Sequence, residues 1–165
     1  VLSYILKKML CESLVISKLT YCLILYYPCL DQATAFRLQM VQNTCCRLIA
    51  NLRKFDHISS SFRNLKWLNV KQLYMYHMSC FVQRLIRNKE PLYLYHKLMF
   101  RADIRQRNLR HSCMLTVPQH KTSLFKRCFT YSCVKVFNSL PESCKSLPSK
   151  KFKRFVKEYL LSRHE

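Results

Sequence analysis

Lysine and arginine side chains, which bind phosphate groups, are the residues of this sequence best suited to chemistry. The chain holds 29 of them against 8 aspartates and glutamates, and its formal net charge is +21. The charge is uneven, because the excess is +3 over residues 1–52 and +18 over residues 53–165. Cations neutralise phosphates and release the counterions condensed on nucleic acid. This distribution predicts a polyanionic partner, nucleic acid above all.

The densest basic segments are residues 101–110 and 145–157, and a third group of cations lies between them. An exposed basic face without any partner is the alternative interpretation of the same pattern. We expect nucleic-acid contacts at these side chains: Arg101, Arg105, Arg107, Arg110, Lys121, Lys126, Arg127, Lys150, Lys151, Lys153, Arg154 and Lys157.

The sequence excludes several kinds of catalytic site. Nucleic-acid polymerases hold two magnesium ions with paired aspartates, whereas Asp31, Asp56 and Asp103 lie far apart along this chain. Glycine is absent, so no Gly-rich nucleotide-binding loop can form. Helix ends must then use other residues, and we expect Asn51, Asn88 and Asn138 to end helices.

Ten cysteines and six histidines raise the question of disulfide, metal and thiol chemistry. Most cysteines lie inside apolar helical patterns and no signal peptide precedes them, which favours free thiols. No Cys-x-x-Cys motif occurs, and Cys128 with Cys133 has no nearby pair of histidines, so we predict no zinc site. No sequence feature orders a Cys–His catalytic pair. We therefore expect no metal and no cofactor.

The first part of the chain predicts two antiparallel helices. Residues 2–26 are apolar on most sides, which indicates a long and largely buried helix, and Pro28 ends it. Residues 19–30 are too few to span a membrane. Asp31 is the predicted N-cap of the second helix, in which Asn43 and Arg47 share the outward side. The predicted inward stripe of this helix consists of Leu38, Val41, Cys45, Leu48 and Leu52.

The middle of the chain predicts a connection followed by the clearest amphipathic helix. Residues 53–66 read as a polar segment with one short helix, after which Trp67 and Leu68 pack on the hairpin. Residues 70–87 form the amphipathic helix, and we expect His77 to be a core histidine bonded to a neighbour. The apolar face is Val70, Leu73, Tyr74, His77, Met78, Phe81, Val82 and Leu85.

The last part predicts shorter elements. Pro91 begins a short helix that runs through Met99, and residues 101–110 form a loop or an exposed turn. Residues 114–117 are extended, with residues 124–130 as the candidate partner, and residues 131–140 are helical. Pro148 and Ser149 begin the last helix. Its apolar face is Phe152, Phe155, Val156, Tyr159 and Leu160, opposite Lys150, Lys151, Lys153, Arg154 and Lys157.

Several motifs follow one another in a fixed order. They are Ser17-Lys18-Leu19-Thr20-Tyr21-Cys22, Gln42-Asn43 with Arg47-Leu48-Ile49, Trp67-Leu68-Asn69-Val70-Lys71-Gln72, Leu109-Arg110-His111-Ser112, Met114-Leu115-Thr116-Val117-Pro118 and Phe137-Asn138-Ser139-Leu140-Pro141. This order resembles the region after the polymerase core in non-LTR retrotransposon reverse transcriptases of the jockey and chicken-repeat-like branch. Two departures are Phe137, where that family usually has Trp, and Asn51, near where it often has Gly.

The resemblance implies a thumb and post-polymerase region that holds nucleic acid. In such proteins the thumb helices grip the template–product duplex, which makes Asn43 and Arg47 candidate contacts, and the downstream region contacts the element's RNA. The implied partners are RNA or an RNA/DNA duplex and an upstream polymerase core, with no small-molecule substrate, no membrane and an intracellular location, nuclear or cytoplasmic. The chain begins at Val1 inside a helical pattern, which indicates a fragment that is not an enzyme on its own.

The expected fold class is mainly α, with a thumb-like helical hairpin, further amphipathic helices and one short β-hairpin or extended segment. The expected segments are the hairpin at 1–55, a helical connection at 56–100 and a basic module at 101–165. Two other functions fit the sequence. The chain is also readable as a helical protein-interaction remnant of a retroelement, or as a basic amphipathic membrane binder built on the last helix.

Overall fold

The computed structural model describes residues 2–104 and 113–163. The chain is mainly helical, as the sequence predicts, and the described residues contain no strand. The α-helices are α1 (Tyr4–Leu10), α2 (Ser17–Thr20), α3 (Leu23–Tyr26), α4 (Gln32–Ala50), α5 (Ser59–Leu65), α6 (Val70–Asn88), α7 (Leu92–Tyr95), α8 (Arg101–Ile104), α9 (Phe129–Asn138), α10 (Glu142–Lys145) and α11 (Ser149–Ser162). A π-helical turn spans Cys11–Ile16, and 3₁₀ turns span Tyr27–Cys29 and Leu124–Arg127.

The fold consists of two compact units. The first comprises residues 1–74 and 160–165, and the second comprises residues 75–159. Helices α6 and α11 each contribute residues to both units.

The N-terminal helical run differs from its prediction in continuity and in burial. It breaks at Cys22, which adopts a left-handed conformation with φ of 53°. It is also largely exposed: the exposed fraction is 69% for Ile5 and 65% for Leu14, while Cys11, Leu19 and Leu23 are buried. Apolar residues on most sides therefore do not indicate burial here, because only part of the run is packed against the rest of the first unit.

Helix α4 begins and ends as the sequence predicts. The Asp31 side chain accepts a hydrogen bond from the Thr34 backbone N–H at 3.3 Å, and bonds from Thr34 lower the pKa of the Asp31 carboxyl. Asn51 ends the helix in the left-handed conformation with φ of 54°. An Asn at this position replaces the glycine that helix ends commonly use.

The predicted inward stripe of α4 is right at Cys45 but wrong at Val41 and Leu48, where the buried face lies about one residue further on. The buried residues are Gln42, Cys45, Cys46 and Ile49, whereas Val41 and Leu48 are exposed. Gln42 belongs to the buried face because its Nε2 donates to the Leu68 carbonyl at 2.7 Å. Buried amides are tolerated when they are hydrogen-bonded.

The core of the first unit forms where α4 and α5 meet the N-terminal run. Trp67 is buried there, as predicted; its ring contacts Phe62 edge-on with centroids 6.2 Å apart. Its indole Nε1 donates to Glu12 Oε1 at 3.0 Å. The buried residues of this cluster are Cys11, Cys45, Cys46, Ile49, Phe62, Leu65 and Trp67.

Helix α6 matches its prediction closely. Asn69 caps it, because Asn69 Oδ1 accepts from the Gln72 N–H at 2.8 Å and Gln72 Oε1 accepts from the Asn69 N–H at 3.0 Å. This reciprocal pair is a capping box. The predicted apolar face is buried or half-buried throughout. His77 is half-buried with its ring edge-on to Tyr76.

In the second unit, the predicted pairing of residues 114–117 with residues 124–130 is wrong. Leu115 forms an isolated antiparallel bridge with Phe100. Residues 124–127 are a 3₁₀ turn, and α9 follows directly. The Asn138 side chain bonds both the Leu115 N–H, at 2.9 Å, and the Leu115 carbonyl, at 2.8 Å.

Helices α4, α6 and α9 end at or next to Asn51, Asn88 and Asn138, as predicted, but of these three residues only Asn51 takes the left-handed conformation. At the end of α6, Lys89 and not Asn88 has a positive φ, of 57°. Asn138 remains helical as the last residue of α9, because its amide is used by Leu115. Lys66 takes the left-handed position after α5, with φ of 52°. In a chain without glycine, residues of several types occupy these strained positions.

The last helices agree with the sequence. Helix α9 covers the predicted segment and ends before Pro141, and α11 begins at Ser149. On α11, Phe152, Val156 and Leu160 are buried, while Phe155 and Tyr159 are half-buried and stack with centroids 6.3 Å apart.

No single described helix meets the length and hydropathy that a membrane span requires. Tyr4–Thr20 and Leu23–Cys29 meet that test only as a pair, with a 45° bend between them.

Candidate nucleic-acid interface

The outer face of α11 presents the predicted basic residues to solvent. Lys150, Lys151, Lys153, Arg154 and Lys157 are all exposed. Arg154 Nε donates to Glu158 Oε1 at 2.9 Å, one helical turn further on. The four lysines therefore remain the stronger candidates for phosphate contacts, since Arg154 already faces a carboxylate.

A second group combines rings with cations. His120, Phe125 and Tyr131 lie within 4.9 to 6.5 Å of one another between ring centroids; we call them the three-ring cluster. Such separations are typical of interacting aromatic rings. The His120 and Phe125 rings are nearly parallel, at 7°.

Short local bonds hold the three-ring cluster in place. The Cys128 N–H donates to the Phe125 carbonyl at 3.0 Å and closes the 3₁₀ turn. Ser132 Oγ, on the first turn of α9, donates to the Lys126 carbonyl at 3.1 Å. These bonds fix Phe125 and the start of α9, which carries Tyr131.

Three predicted cations accompany these rings. Lys121, Lys126 and Arg127 are exposed. Lys121 follows His120 in the sequence, and Lys126 and Arg127 belong to the 3₁₀ turn that contains Phe125. Rings that stack on bases, interleaved with cations that bind phosphates, are the combination used by proteins that hold single-stranded nucleic acid. The sequence predicts the cations, but it does not predict the contacts among the rings.

Lys145 is a half-buried cation. Its ammonium lies 5.3 Å from the centre of the Phe137 ring. Burial lowers the pKa of Lys145. A lysine in this position is unsuited to a phosphate contact, because its ammonium faces a ring and is shielded from solvent.

The two predicted thumb contacts do not share an exposed side. Asn43 and Arg47 are both half-buried. Asn43 Oδ1 accepts from Gln39 Nε2 at 2.9 Å, while Arg47 Nε is buried without a hydrogen-bond partner in the described part of the chain. The prediction of an outward side fails because the buried face of α4 is centred on Gln42 and Cys46.

The predicted arginine group of residues 101–110 is described only at its beginning. Arg101 is exposed at the start of α8, and its N–H donates to the Met114 carbonyl at 2.9 Å. Arg105, Arg107 and Arg110 lie outside the described residues.

A cleft of about 520 Å³ opens in the first unit among α4, α5 and the start of α6. Its polar lining includes Gln39, Asn43, Ser59, Arg63, Asn69 and Lys71. Of these residues, only Asn43 was expected at a site. Asn69 and Gln72 carry the spacing of a capping box, which locates a helix start, yet no sequence signal brings Gln39 and Arg63 to it.

Burial makes two of the cysteines poor nucleophiles. All ten are free thiols. Burial raises the pKa of Cys133 to about 12. Burial and the neighbouring Cys11 raise the pKa of Cys45 to about 11. These two thiols stay protonated at neutral pH and are poor nucleophiles. Over the ranges 2–104 and 113–163, no three His, Cys, Asp or Glu side chains converge as metal ligands would.

Comparison of the chain with protein-family models, with curated proteins and with solved structures found no match. Function is therefore inferred from the charge, chemistry and geometry of the chain's own residues.

Proposed function

We propose that this chain binds RNA or an RNA/DNA duplex without catalysing a reaction, and that residues of the second unit make the main contacts. The observation that carries the proposal is the three-ring cluster together with exposed Lys121, Lys126 and Arg127. The exposed lysines of α11 add further phosphate contacts.

The charge balance of this region supports the same proposal. Residues 113–163 contain eleven lysines and arginines but only two acidic residues, Glu142 and Glu158. Few carboxylates are thus present to repel phosphates or to compete for the cations. Phosphate neutralisation supplies affinity without sequence selection, and base stacking is worth about 1–3 kcal/mol per base. Together they favour a single strand over a perfect duplex.

The order of motifs places this activity in a biological setting. Because it resembles the thumb and post-polymerase region of non-LTR reverse transcriptases, we propose that the chain belongs to an RNA-directed DNA polymerase of a transposable element. Catalysis would then belong to an upstream polymerase core, with which this chain is a partner. Such a protein works inside the cell, in the nucleus or the cytoplasm, where the element's RNA is located.

The proposal is tested by locating the contact with charge-matched variants. The site variant changes Lys121, Lys126 and Arg127 to Gln, and the control variant changes Lys18, Arg37 and Lys54 to Gln. All six side chains are exposed, so both variants should keep the wild-type helicity. Fluorescence anisotropy then measures binding to a labelled single-stranded RNA at several salt concentrations.

We expect the site variant to flatten the plot of log K against log salt by about two units, because each phosphate contact on a single strand contributes about 0.7. The control variant should keep a slope close to that of the wild type. Equal slopes for the two variants would mean that binding is diffuse and does not depend on the three-ring region.

A helical protein-interaction module is the second candidate function. It is favoured by large apolar side chains exposed on the N-terminal run and on α4, such as Ile5, Leu14 and Phe36. Contiguous exposed apolar patches often mark protein contacts. Salt separates the two functions, because apolar association does not weaken as salt rises in the way that phosphate binding does.

A further inference from the structure

The cleft of the first unit, formed by α4, α5 and the start of α6, has the size of a small-molecule site. Its volume of about 520 Å³ lies within the usual range for ligand pockets. All of its lining residues belong to the first unit. It is therefore a feature separate from the basic residues of the second unit.

The charged residues of the cleft are both cations. Arg63, on α5, and Lys71, in the first turn of α6, line it, and no aspartate or glutamate does. Neither cation has a carboxylate partner within the described ranges. Lys71 also stands in the first turn of a 19-residue helix, where the helix dipole favours anions.

The amide side chains around the cleft leave donors available. Gln39 is fixed, because its Oε1 accepts from the Val70 N–H at 2.9 Å and its Nε2 donates to Asn43 and Gln42. Asn43 Nδ2 has only a weak contact, 4.0 Å from the Met40 sulfur. The Asn69 side-chain oxygen, Oδ1, accepts the hydrogen bond of the helix cap. Its side-chain NH₂ group has no partner in the part of the chain that the structure describes. Two cations and two amide donors together match the oxygens of a phosphate.

The cleft also offers apolar surface that an inorganic phosphate would leave unused. Tyr27, Ile58 and Phe62 line it beside the polar groups. The Tyr27 ring is held by stacking on Tyr74, with centroids 4.7 Å apart. Held rings and an aliphatic side chain provide a surface for a planar base or a sugar.

We propose that this cleft binds a nucleoside monophosphate unit, with Arg63 and Lys71 on the phosphate and the apolar residues on the nucleoside. The unit is either a free nucleotide or one nucleotide of an RNA strand, since both present the same chemistry. The site does not depend on nucleic-acid binding by the second unit.

The test uses the full chain labelled with nitrogen-15 and follows backbone amide shifts on addition of AMP, inorganic phosphate or a short single-stranded RNA. The cleft variant is Arg63→Gln with Lys71→Gln, and the charge-matched control is Lys18→Gln with Lys54→Gln. All four side chains are exposed, and circular dichroism verifies that both variants keep the helical signal. The RNA arm also uses the Lys121, Lys126 and Arg127 site variant, so that binding at the second unit is weakened.

We expect AMP to shift the amides of Asn69 and Lys71 and to bind at least about tenfold more tightly than inorganic phosphate. Loss of two charge-assisted contacts should weaken AMP binding by about tenfold or more in the cleft variant and leave the control unchanged. If only the RNA shifts these amides, including in the site variant, the bound unit belongs to a strand and the proposal holds.

Three results would overturn the proposal. AMP binding by the cleft variant at wild-type affinity would show that Arg63 and Lys71 do not contact the ligand. Equal affinities for phosphate and AMP would show that the cleft does not bind the nucleoside part of the ligand. The absence of a shift at Asn69 and Lys71 with both AMP and RNA would show that the cleft binds neither. RNA binding at the second unit could still be measured in the same sample.

Discussion

Individual cations in this protein differ in what they can bind, although they look alike in the sequence. Lys150 and Lys126 are exposed, whereas Arg154 already faces Glu158 and Lys145 lies against the Phe137 ring. Helical periodicity predicts the exposure of the α11 lysines. It cannot predict the contact of Lys145, because the ring it meets belongs to another helix.

The hydrogen bonds of Asn138 predict that its replacement lowers the stability of the fold. Its side chain is the partner of both backbone groups of Leu115, a residue with no exposed surface. We expect Asn138→Ala to destabilise the fold by about 1–3 kcal/mol for each backbone group left unpaired. Urea denaturation measures the change, with the exposed Asn88→Ala as the matched control. Equal stabilities of the two variants would show that these two bonds contribute nothing.

His77 gives the protein a pH-dependent stability. Burial lowers the pKa of His77 below its ordinary value of 6.5. Because the unfolded chain binds the proton more readily, stability is full above pH 6.5 and is lost as the pH falls through the lower pKa of the folded state. We expect thermal unfolding at pH 5.5 to occur at a lower temperature than at pH 7.5.

His77→Phe should reduce that difference in unfolding temperature, since it removes the titrating group and keeps an aromatic side chain. His57→Phe, at an exposed position, serves as the control and should leave the difference unchanged. A difference unaffected by His77→Phe would assign the acid sensitivity to other groups.

At the scale of helices, the sequence predicts the long amphipathic elements well. Helices α6 and α11 have a regular apolar period, and their buried faces follow it. The error in α4 has a physical cause: its buried face includes Gln42, which bonds the Leu68 carbonyl 26 positions away. Gln72 and Gln83 likewise donate to distant carbonyls, of Leu160 and Leu147. A pattern of apolar residues alone cannot locate such polar contacts.

The break at Cys22 and the exposure of the N-terminal run have a related origin. A non-glycine residue in the left-handed conformation carries no sequence signature. Burial of an apolar helix depends on the presence of a second element to cover it, and many apolar residues of the run, such as Ile5 and Leu14, remain exposed. The rings of the three-ring cluster are equally invisible to periodicity, because a turn and not a helix brings His120 and Phe125 together.

The orientation of helix α11 predicts which of its side chains contribute to stability. Phe152 has no exposed surface, while Phe155 is half-buried against Tyr159. We expect Phe152→Ala to cost about 3–5 kcal/mol of unfolding free energy and Phe155→Ala to cost less, because part of its ring already contacts water. Lys151→Ala on the opposite face should change stability by less than about 0.5 kcal/mol. A larger loss for Phe155 than for Phe152 would contradict the orientation of this helix.

At the scale of the whole chain, composition excludes more than it identifies. The absence of glycine removes Gly-rich phosphate loops, and the separation of Asp31, Asp56 and Asp103 along the sequence leaves no adjacent aspartate pair. We therefore expect the purified chain to extend no primer on an RNA template. Incorporation of labelled deoxynucleotides measures this, with an active reverse transcriptase as the positive control. Extension that persists after removal of contaminating polymerases would contradict the assignment of a non-catalytic role.

The central claim is that this protein holds nucleic acid through phosphate contacts, and the salt dependence of wild-type binding tests it most directly. Fluorescence anisotropy with a labelled single-stranded RNA, at salt concentrations from about 50 to 200 mM, gives the slope of log K against log salt. With about six phosphates neutralised on a single strand, we expect micromolar or tighter binding at low salt and a loss of affinity of about three hundredfold across that range. Binding that is weak and unchanged by salt would contradict the claim and favour a protein-interaction module.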